Sequence, residues 1–202
     1  MKNAWSVLFL CCISLAQAQT TLIPDNNFER ILINEGIDSD GQINGQVLTS
    51  DINTIQILNL NGSSTPYNQK ITNLKGIEGF TALRSLDCSN HLIGTLDLNS
   101  NTQLVSIHCE YNMLASIQVN MLTGLTTLSC HDNFAASSNP AGPDIVVSLV
   151  VDQCLSLTNF DASNYPNLVC IQVNNAASAN AGMGIYASWK KDPTAFYSEH
   201  CN

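Results

Sequence analysis

Leu83-Arg-Ser-Leu86-Asp-Cys88, Leu104-Val-Ser-Ile107-His-Cys109 and Leu125-Thr-Thr-Leu128-Ser-Cys130 are one phrase written three times. The leading leucines stand 21 residues apart, twice, and the three cysteines keep the same step. A period of this length takes precedence over local propensities, because overlooking it misassigns the whole fold. A further 21 residues leads to Val146-Val-Ser-Leu149-Val-Val151, and 22 more to Leu168-Val-Cys-Ile171-Gln-Val173. Upstream, Ile55-Gln-Ile-Leu58-Asn-Leu60 joins the series if about seven extra residues, around Gly62 to Lys70, form a loop.

A second series runs half a period out of step: Ile93-Gly-Thr-Leu96-Asp-Leu98, Leu114-Ala-Ser-Ile117-Gln-Val119 and Leu157-Thr-Asn-Phe160-Asp-Ala162, with Ile71-Thr-Asn-Leu74 as a weaker copy. Each unit therefore holds two short extended segments whose apolar and polar residues alternate, the period of a half-buried strand. Asn-rich stretches such as Asn99 to Gln103 supply turns. One unit cannot bury its leucines alone; stacked units share a continuous core. The reading is a mostly β repeat solenoid with short strands.

The pattern L-x-x-L-x-C/L-x-x-N resembles the leucine-rich repeat, in the short 21–22-residue form also seen in internalin-like proteins. Leu86-Asp-Cys88-Ser-Asn90, Thr81-Ala-Leu83 and Gly76-Ile-Glu-Gly-Phe80 resemble copies in secreted leucine-rich-repeat proteins of Gram-negative bacteria. The opening Ile23-Pro-Asp-Asn-Asn-Phe28-Glu and the ending from Cys170 through Trp189 to Cys201 are similar to the two ends of that set. The resemblance implies a sheet presented to a macromolecular partner. Many such proteins carry a C-terminal sorting tail for type IX secretion, which is not seen before Asn202.

Residues 1–18 read as a signal peptide: Lys2, an apolar run from Trp5 to Leu15, and the small-x-small site Ala16-Gln17-Ala18. The large residues Leu8, Phe9 and Leu10 before Cys11 and Cys12 argue against a lipid anchor there. The expected divisions are a cap over 19–50, the repeats over 51–175 and a second cap over 176–202. Asp25 is placed to cap a helix from about Asn26 to Glu35, with Phe28, Ile31 and Leu32 on one face and Gly36 ending it. Ile185, Tyr186 and Trp189 follow the last strand, and Pro193 stops any helix there.

Apolar residues make up 45% of the chain, too much for a disordered acidic tail, and no uncharged apolar run reaches the length of a membrane span. Charged residues are only 11%, and 24 asparagines stand where charges usually do. Without the leader, sixteen acidic residues face six basic ones, a net charge of −10. Such a surface repels phosphate backbones and anionic headgroups, so neither nucleic acid nor membrane insertion is expected. No motif for a cofactor is present.

Six cysteines remain after the leader. Cys88, Cys109 and Cys130 fall at one inward position of successive rungs and read as reduced packing residues. Their 21-residue step does not converge as a zinc site requires. Cys154 stands where the repeat expects Asn or Cys bonding its own turn. Six cysteines allow 15 full pairings. Export permits a bridge, and Cys170, outward on the last rung, is paired here with Cys201, which would pin the C-terminal cap.

The outward positions of the front strands give a small, polar binding face with Asp87, His108, Glu110, Ser129, His131 and Asp152. It lacks the aromatic and arginine anchors of strong interfaces. His108, Glu110 and His131, with Asp87 and Asp132 near, form a candidate divalent-metal set, and Asp38-Ser-Asp40-Gly41 resembles part of a calcium loop, with Asp51 placed to complete a looser site. Gly36 and Val47 stand where a helix-loop-helix calcium site needs acids. Ser106 or Ser129 beside His108 and Asp87 suggests a hydrolytic set, but an open sheet offers no oxyanion hole. The expected function is therefore non-enzymatic binding of a protein or glycan, with adhesion as one form of it, outside the cytoplasm. Ala135 to Asp144, rich in Ser, Pro and Gly, breaks the half-step series and reads as a loop.

Overall fold

The computed structural model describes residues 19–134 and 147–201. The expected leader and the whole loop from Ala135 to Asp144 lie outside them. In chain order the elements are β1 (Thr20–Leu22), α1 (Asn26–Asn34), β2 (Gln46–Leu48), α2 (Thr49–Ile52), β3 (Ile57–Asn59), β4 (Ser85–Asp87), β5 (Thr95–Asp97) and β6 (Ser106–His108). There follow β7 (Ser116–Gln118), β8 (Thr127–Ser129), β9 (Val147–Val150), β10 (Asn159–Ala162), β11 (Leu168–Gln172), α3 (Ala176–Asn180), β12 (Lys190–Lys191) and β13 (Phe196–Ser198).

The strands stack into two parallel sheets. The first has six strands in the order β3-β4-β6-β8-β10-β12, the second five in the order β5-β7-β9-β11-β13. From β4 onward each turn of the coil contributes one strand to each sheet, and the leucines between them form one core. Leu58, Leu86, Ile107, Leu128 and Phe160 lie in register across the first sheet, all 2% exposed or less. Next to them runs a second buried column, Leu60, Cys88, Cys109, Cys130 and Ala162. The cysteines in it are reduced, and their N–H groups donate to His108, Ser129 and Asp161 carbonyls on the following strand at 2.8–2.9 Å. Burial pushes all three thiols well above their ordinary pKa.

The order of the strands corrects the expected phase. Ser85, Ser106 and Thr127 pair at 21-residue steps, but the next partner is Asn159, 32 residues on. The same lengthening separates Gln118 from Val150 in the second sheet. Half a repeat has been added between β8 and β9. Because both halves of a unit carry the same L-x-x-L-x-L pattern, the 21-residue step still lands on a matching segment, but on the wrong sheet. Ser148, Val150, Asp152, Cys170 and Gln172 therefore belong to the second sheet, and Asn159 to Ala162 to the first.

Four side chains on successive rungs close the turns that leave the first sheet. Asn112 donates to the Cys88 and Cys109 carbonyls (3.0 and 3.2 Å) and accepts from the Ile93 N–H (3.0 Å). Asn133 repeats this with Cys109, Cys130 and Leu114. One rung earlier the same position holds His91, whose Nε2 contacts the Leu60 carbonyl at 2.6 Å and whose Nδ1 accepts from the Ile71 N–H at 3.1 Å. A ring nitrogen that accepts an amide proton is itself bare, so the proton sits on Nε2 and the imidazole does the work of an amide. One rung later the position is Tyr165, whose hydroxyl donates to the Leu114 carbonyl. The His91 ring fits because residue 62 is glycine: a Cβ there would stand 2.6 Å from His91 Cε1 and 2.4 Å from the Asn90 carbonyl.

Burial holds the His91 pKa below its ordinary value. The unfolded chain then binds a proton more readily than the folded one, so the stabilisation is complete above the unfolded value, about 6.5, and is lost as pH falls below it. Urea midpoints are expected to fall more steeply between about pH 7 and pH 5 in the wild type than in His91→Asn. Parallel pH profiles would refute this.

Helix α1 starts as its sequence dictates. Asp25 Oδ1 accepts from Asn27 and Phe28 N–H (2.9 and 3.1 Å). Its other oxygen accepts from Thr72 N–H, Thr72 Oγ1 and Asn73 N–H (2.8, 2.8 and 3.0 Å), which ties the helix to the first turn of the coil. Burial alone would raise this carboxyl; the hydrogen bonds outweigh it and hold the pKa below the usual range. Phe28 and Leu32 are fully buried, Phe28 against Phe80 with ring centroids 6.2 Å apart.

At the other end, α3 is followed by two strands that sequence reading missed: β12 adds to the first sheet beside β10, and β13 to the second beside β11. Trp189 sits between Phe160 (4.6 Å) and Tyr186 (4.7 Å) and donates to the Leu157 carbonyl at 2.9 Å. The Cys170–Cys201 disulfide fastens this end to β11, across 31 residues of chain. Cys154 does not bond its own turn through sulfur; its thiol reaches the Val119 carbonyl at 3.3 Å, and burial pushes its pKa up to about 12.

Candidate binding face

The outer surface of the first sheet is the candidate site. Strand alternation turns every second side chain outward, and parallel register stacks those side chains into rows. One row reads Asn59, Asp87, His108, Ser129 and Asp161. A second, just past the strand ends, holds Asn61, Ser89, Glu110, His131 and Ser163.

Short local bonds fix much of this surface. Ser89 donates to Asp87 Oδ1 at 2.6 Å, and Ser163 donates to Asp161 Oδ1 at 2.6 Å, the same Asp-x-Ser arrangement on two rungs. Asn61 donates to Ser89 Oγ at 2.8 Å. Lys190, from the last strand of the sheet, lies 3.0 Å from Asp161 Oδ2. Burial would raise the Asp161 carboxyl, but the Ser163 and Lys190 contacts more than offset it and hold the pKa below the ordinary range. A shallow groove of about 250 Å³ runs between β8 and β10, lined by Thr127, Ser129, Asn159, Phe160, Asp161 and Lys190.

Asn90, Tyr111, Asp132 and Asn164 take one position on four rungs, and all have positive φ (62°, 56°, 53° and 52°). Asn and Asp tolerate this left-handed region; a tyrosine pays for it. The Tyr111 ring rests edge-on against His131, centroids 5.4 Å apart, and is half exposed at the rim of the face. His131 Nδ1 and Asp132 Oδ2 are 2.6 Å apart, and Asn164 donates to the other Asp132 oxygen. Against the effect of burial, these bonds hold Asp132 below the usual carboxylate range.

Of the residues expected to form the face, Asp87, His108, Glu110, Ser129 and His131 are brought together on the first sheet. Asp152 is not: it follows β9 on the second sheet, where it accepts from Gln172 Nε2 at 3.0 Å. Asp161 takes its place in the row. The signal was present in the atypical stretch from Ala135 to Asp144, which shifts the count by half a unit. His108 Nδ1 stands 3.8 Å from Glu110 Oε1, His131 is committed to Asp132, and among the described residues no three His, Cys, Asp or Glu side chains are gathered to hold an ion. Glu110 Oε2 is buried with no hydrogen-bond partner among the described residues.

No family model matches this chain, and no curated protein does. Among known structures, the functional domain of InlJ from Listeria monocytogenes, described as including a cysteine ladder, matches with a TM-score of 0.50 and 24% identity. The fold is an internalin-like leucine-rich-repeat solenoid. The alignment covers 79% of this chain and 39% of that one, so the leucine-rich-repeat chain described here spans about two fifths of its neighbour's length. An internalin, InlF, from the same organism aligns over 88% of this chain and 71% of its own, with 16% identity and a TM-score of 0.32. Among the described residues no helix is long and apolar enough to cross a membrane.

Proposed function

We propose that this leucine-rich-repeat chain is a non-enzymatic, extracytoplasmic protein-binding module that engages its partner through the outer face of the first sheet. Residues 19–50 and 176–202 close its two ends around the repeats at 51–175, and residues 1–18 direct it out of the cytoplasm. The observation that carries this reading is the register row from Asn59 to Asp161: five outward polar side chains on five stacked strands, rigidly spaced by the ladder beneath them.

The chemistry of the face indicates the kind of partner. Asp87, Glu110, Asp132 and Asp161 make it acidic, and one Glu110 oxygen is buried without a partner among the described residues. A protein surface carrying lysine or arginine would complement it. The groove beside Phe160 supplies the apolar contact that the flat rows lack. No observation favours a glycan over a protein.

The test is a capture comparison from the native extracellular fluid with three immobilised chains: wild type, Asp87→Lys/Asp161→Lys on the first sheet, and Thr95→Lys/Gln118→Lys on the second. Loss of a captured protein, by about tenfold or more, is expected for the first pair alone. Equal retention by all three chains, or equal loss from both variants, would remove the first sheet as the binding face.

A further inference from the structure

At the N-terminal end of the coil, hydrogen bonds through the loop between α1 and β2 link Glu29, Asp38, Asp40 and Asp51, with no basic side chain paired to any of them among the described residues. Glu29, on α1, is fully buried, and Asp38 is 4% exposed. Glu29 Oε1 accepts from the N–H groups of Asn44, Gly45 and Gln46 at 2.9, 2.8 and 3.2 Å. Three amide donors fully occupy this oxygen. Its other oxygen, Oε2, is buried with no hydrogen-bond partner among the described residues, and so is Asp38 Oδ2.

The groups belong to one connected loop. Asp38 Oδ1 accepts from the Asp40 N–H at 3.4 Å, Asp40 Oδ2 accepts from Asn44 Nδ2 at 2.8 Å, and the Asn44 N–H returns to Glu29. Asp51 Oδ2 accepts from the Ser39 N–H at 3.1 Å. Burial, with the negative charges of Asp40, Glu29 and Asp51, raises the Asp38 pKa. A buried carboxylate oxygen without a donor is costly, and two in one loop call for a shared positive partner.

We propose that this loop binds one calcium ion, with Glu29 Oε2 and Asp38 Oδ2 as its buried ligands and Asp40 and Asp51 as the flanking acids. All the side-chain donors are hard oxygens, which excludes the softer metals held by His and Cys. Calcium completes its shell of 6–8 oxygens with backbone carbonyls and water, so two carboxylates suffice as anchors where no three side chains are gathered beforehand. An irregular loop suits calcium better than magnesium, which demands a near-ideal octahedron. The inference is independent of the sheet face, and its failure would leave the binding reading untouched.

Isothermal titration of calcium into the chelator-treated, full-length secreted chain tests it directly. One saturable site per chain is expected, with a dissociation constant of about 10⁻⁴–10⁻³ M, the range of extracellular modules. In parallel, saturating calcium should raise Tm by about 5 °C, and Asp38→Asn should abolish the rise. Absence of saturable heat up to about 10 mM calcium, an equal Tm rise with magnesium at matched ionic strength, or a full rise retained in a folded Asp38→Asn would each overturn the proposal. A bound water or a proton would then be what satisfies the two oxygens. The titration decides the matter even if the variant does not fold.

Discussion

Asn112→Ala is expected to lower folding stability by about 3–5 kcal/mol, read as a shift in urea midpoint at unchanged slope. The side chain is small and could be mistaken for a turn residue. Its importance lies in what it leaves behind. Removing it strands the Ile93 N–H and weakens the satisfaction of the Cys88 and Cys109 carbonyls, all in the interior of the coil. Each buried backbone group left without a partner costs about 1–3 kcal/mol. An apolar residue of similar size, as in Asn112→Leu, should do no better, because it restores volume and not hydrogen bonds. Asn112→His should recover part of the loss, since His91 makes two of the three corresponding bonds one rung away. If Asn112→Ala costs less than about 1 kcal/mol, the column is not what holds successive turns in register.

Cys170→Ser/Cys201→Ser is expected to cost about 3–4 kcal/mol, the chain-entropy value for a closed loop of this size, and to show first at the C-terminal end. The bridge spans 31 residues and joins β11 to the segment just after β13. β13 contributes only Phe196–Ser198 to the sheet, and β12 only Lys190–Lys191. Strands so short hold poorly by themselves. Hydrogen exchange of the double variant should therefore show early loss of protection in β13 and β11, while β4 and β6 keep theirs. Uniform loss over all rungs would mean that the coil unfolds as one unit and that the bridge has no local role.

The repeats were legible because Leu86, Ile107 and Leu128 obey one spacing that only stacking can satisfy. The helix start was legible for a local reason: Asp25 sits where orphan N–H groups need an acceptor. The Cys170–Cys201 pair also followed from position, one cysteine outward on a late rung and the other near the end of the chain. What the sequence hid was which sheet each late segment joins. Val147–Val150 and Asn159–Ala162 both have alternating apolar residues, and nothing within either segment says front or back. That choice is made by the number of residues between β8 and β9, a non-local quantity. Asp161 and Lys190 were missed for the same reason, and Asp152 was misplaced. Glu29 was hidden differently, because a glutamate in a helix reads as solvated until the loop that covers it is seen.

The longer connection after β8 has an evolutionary consequence. Later strands still alternate between the two sheets, so chain gained there leaves the interior downstream intact and every later segment on its own side of the molecule. A lineage could lengthen this connection through a single slip in its coding sequence, with little penalty inside the protein.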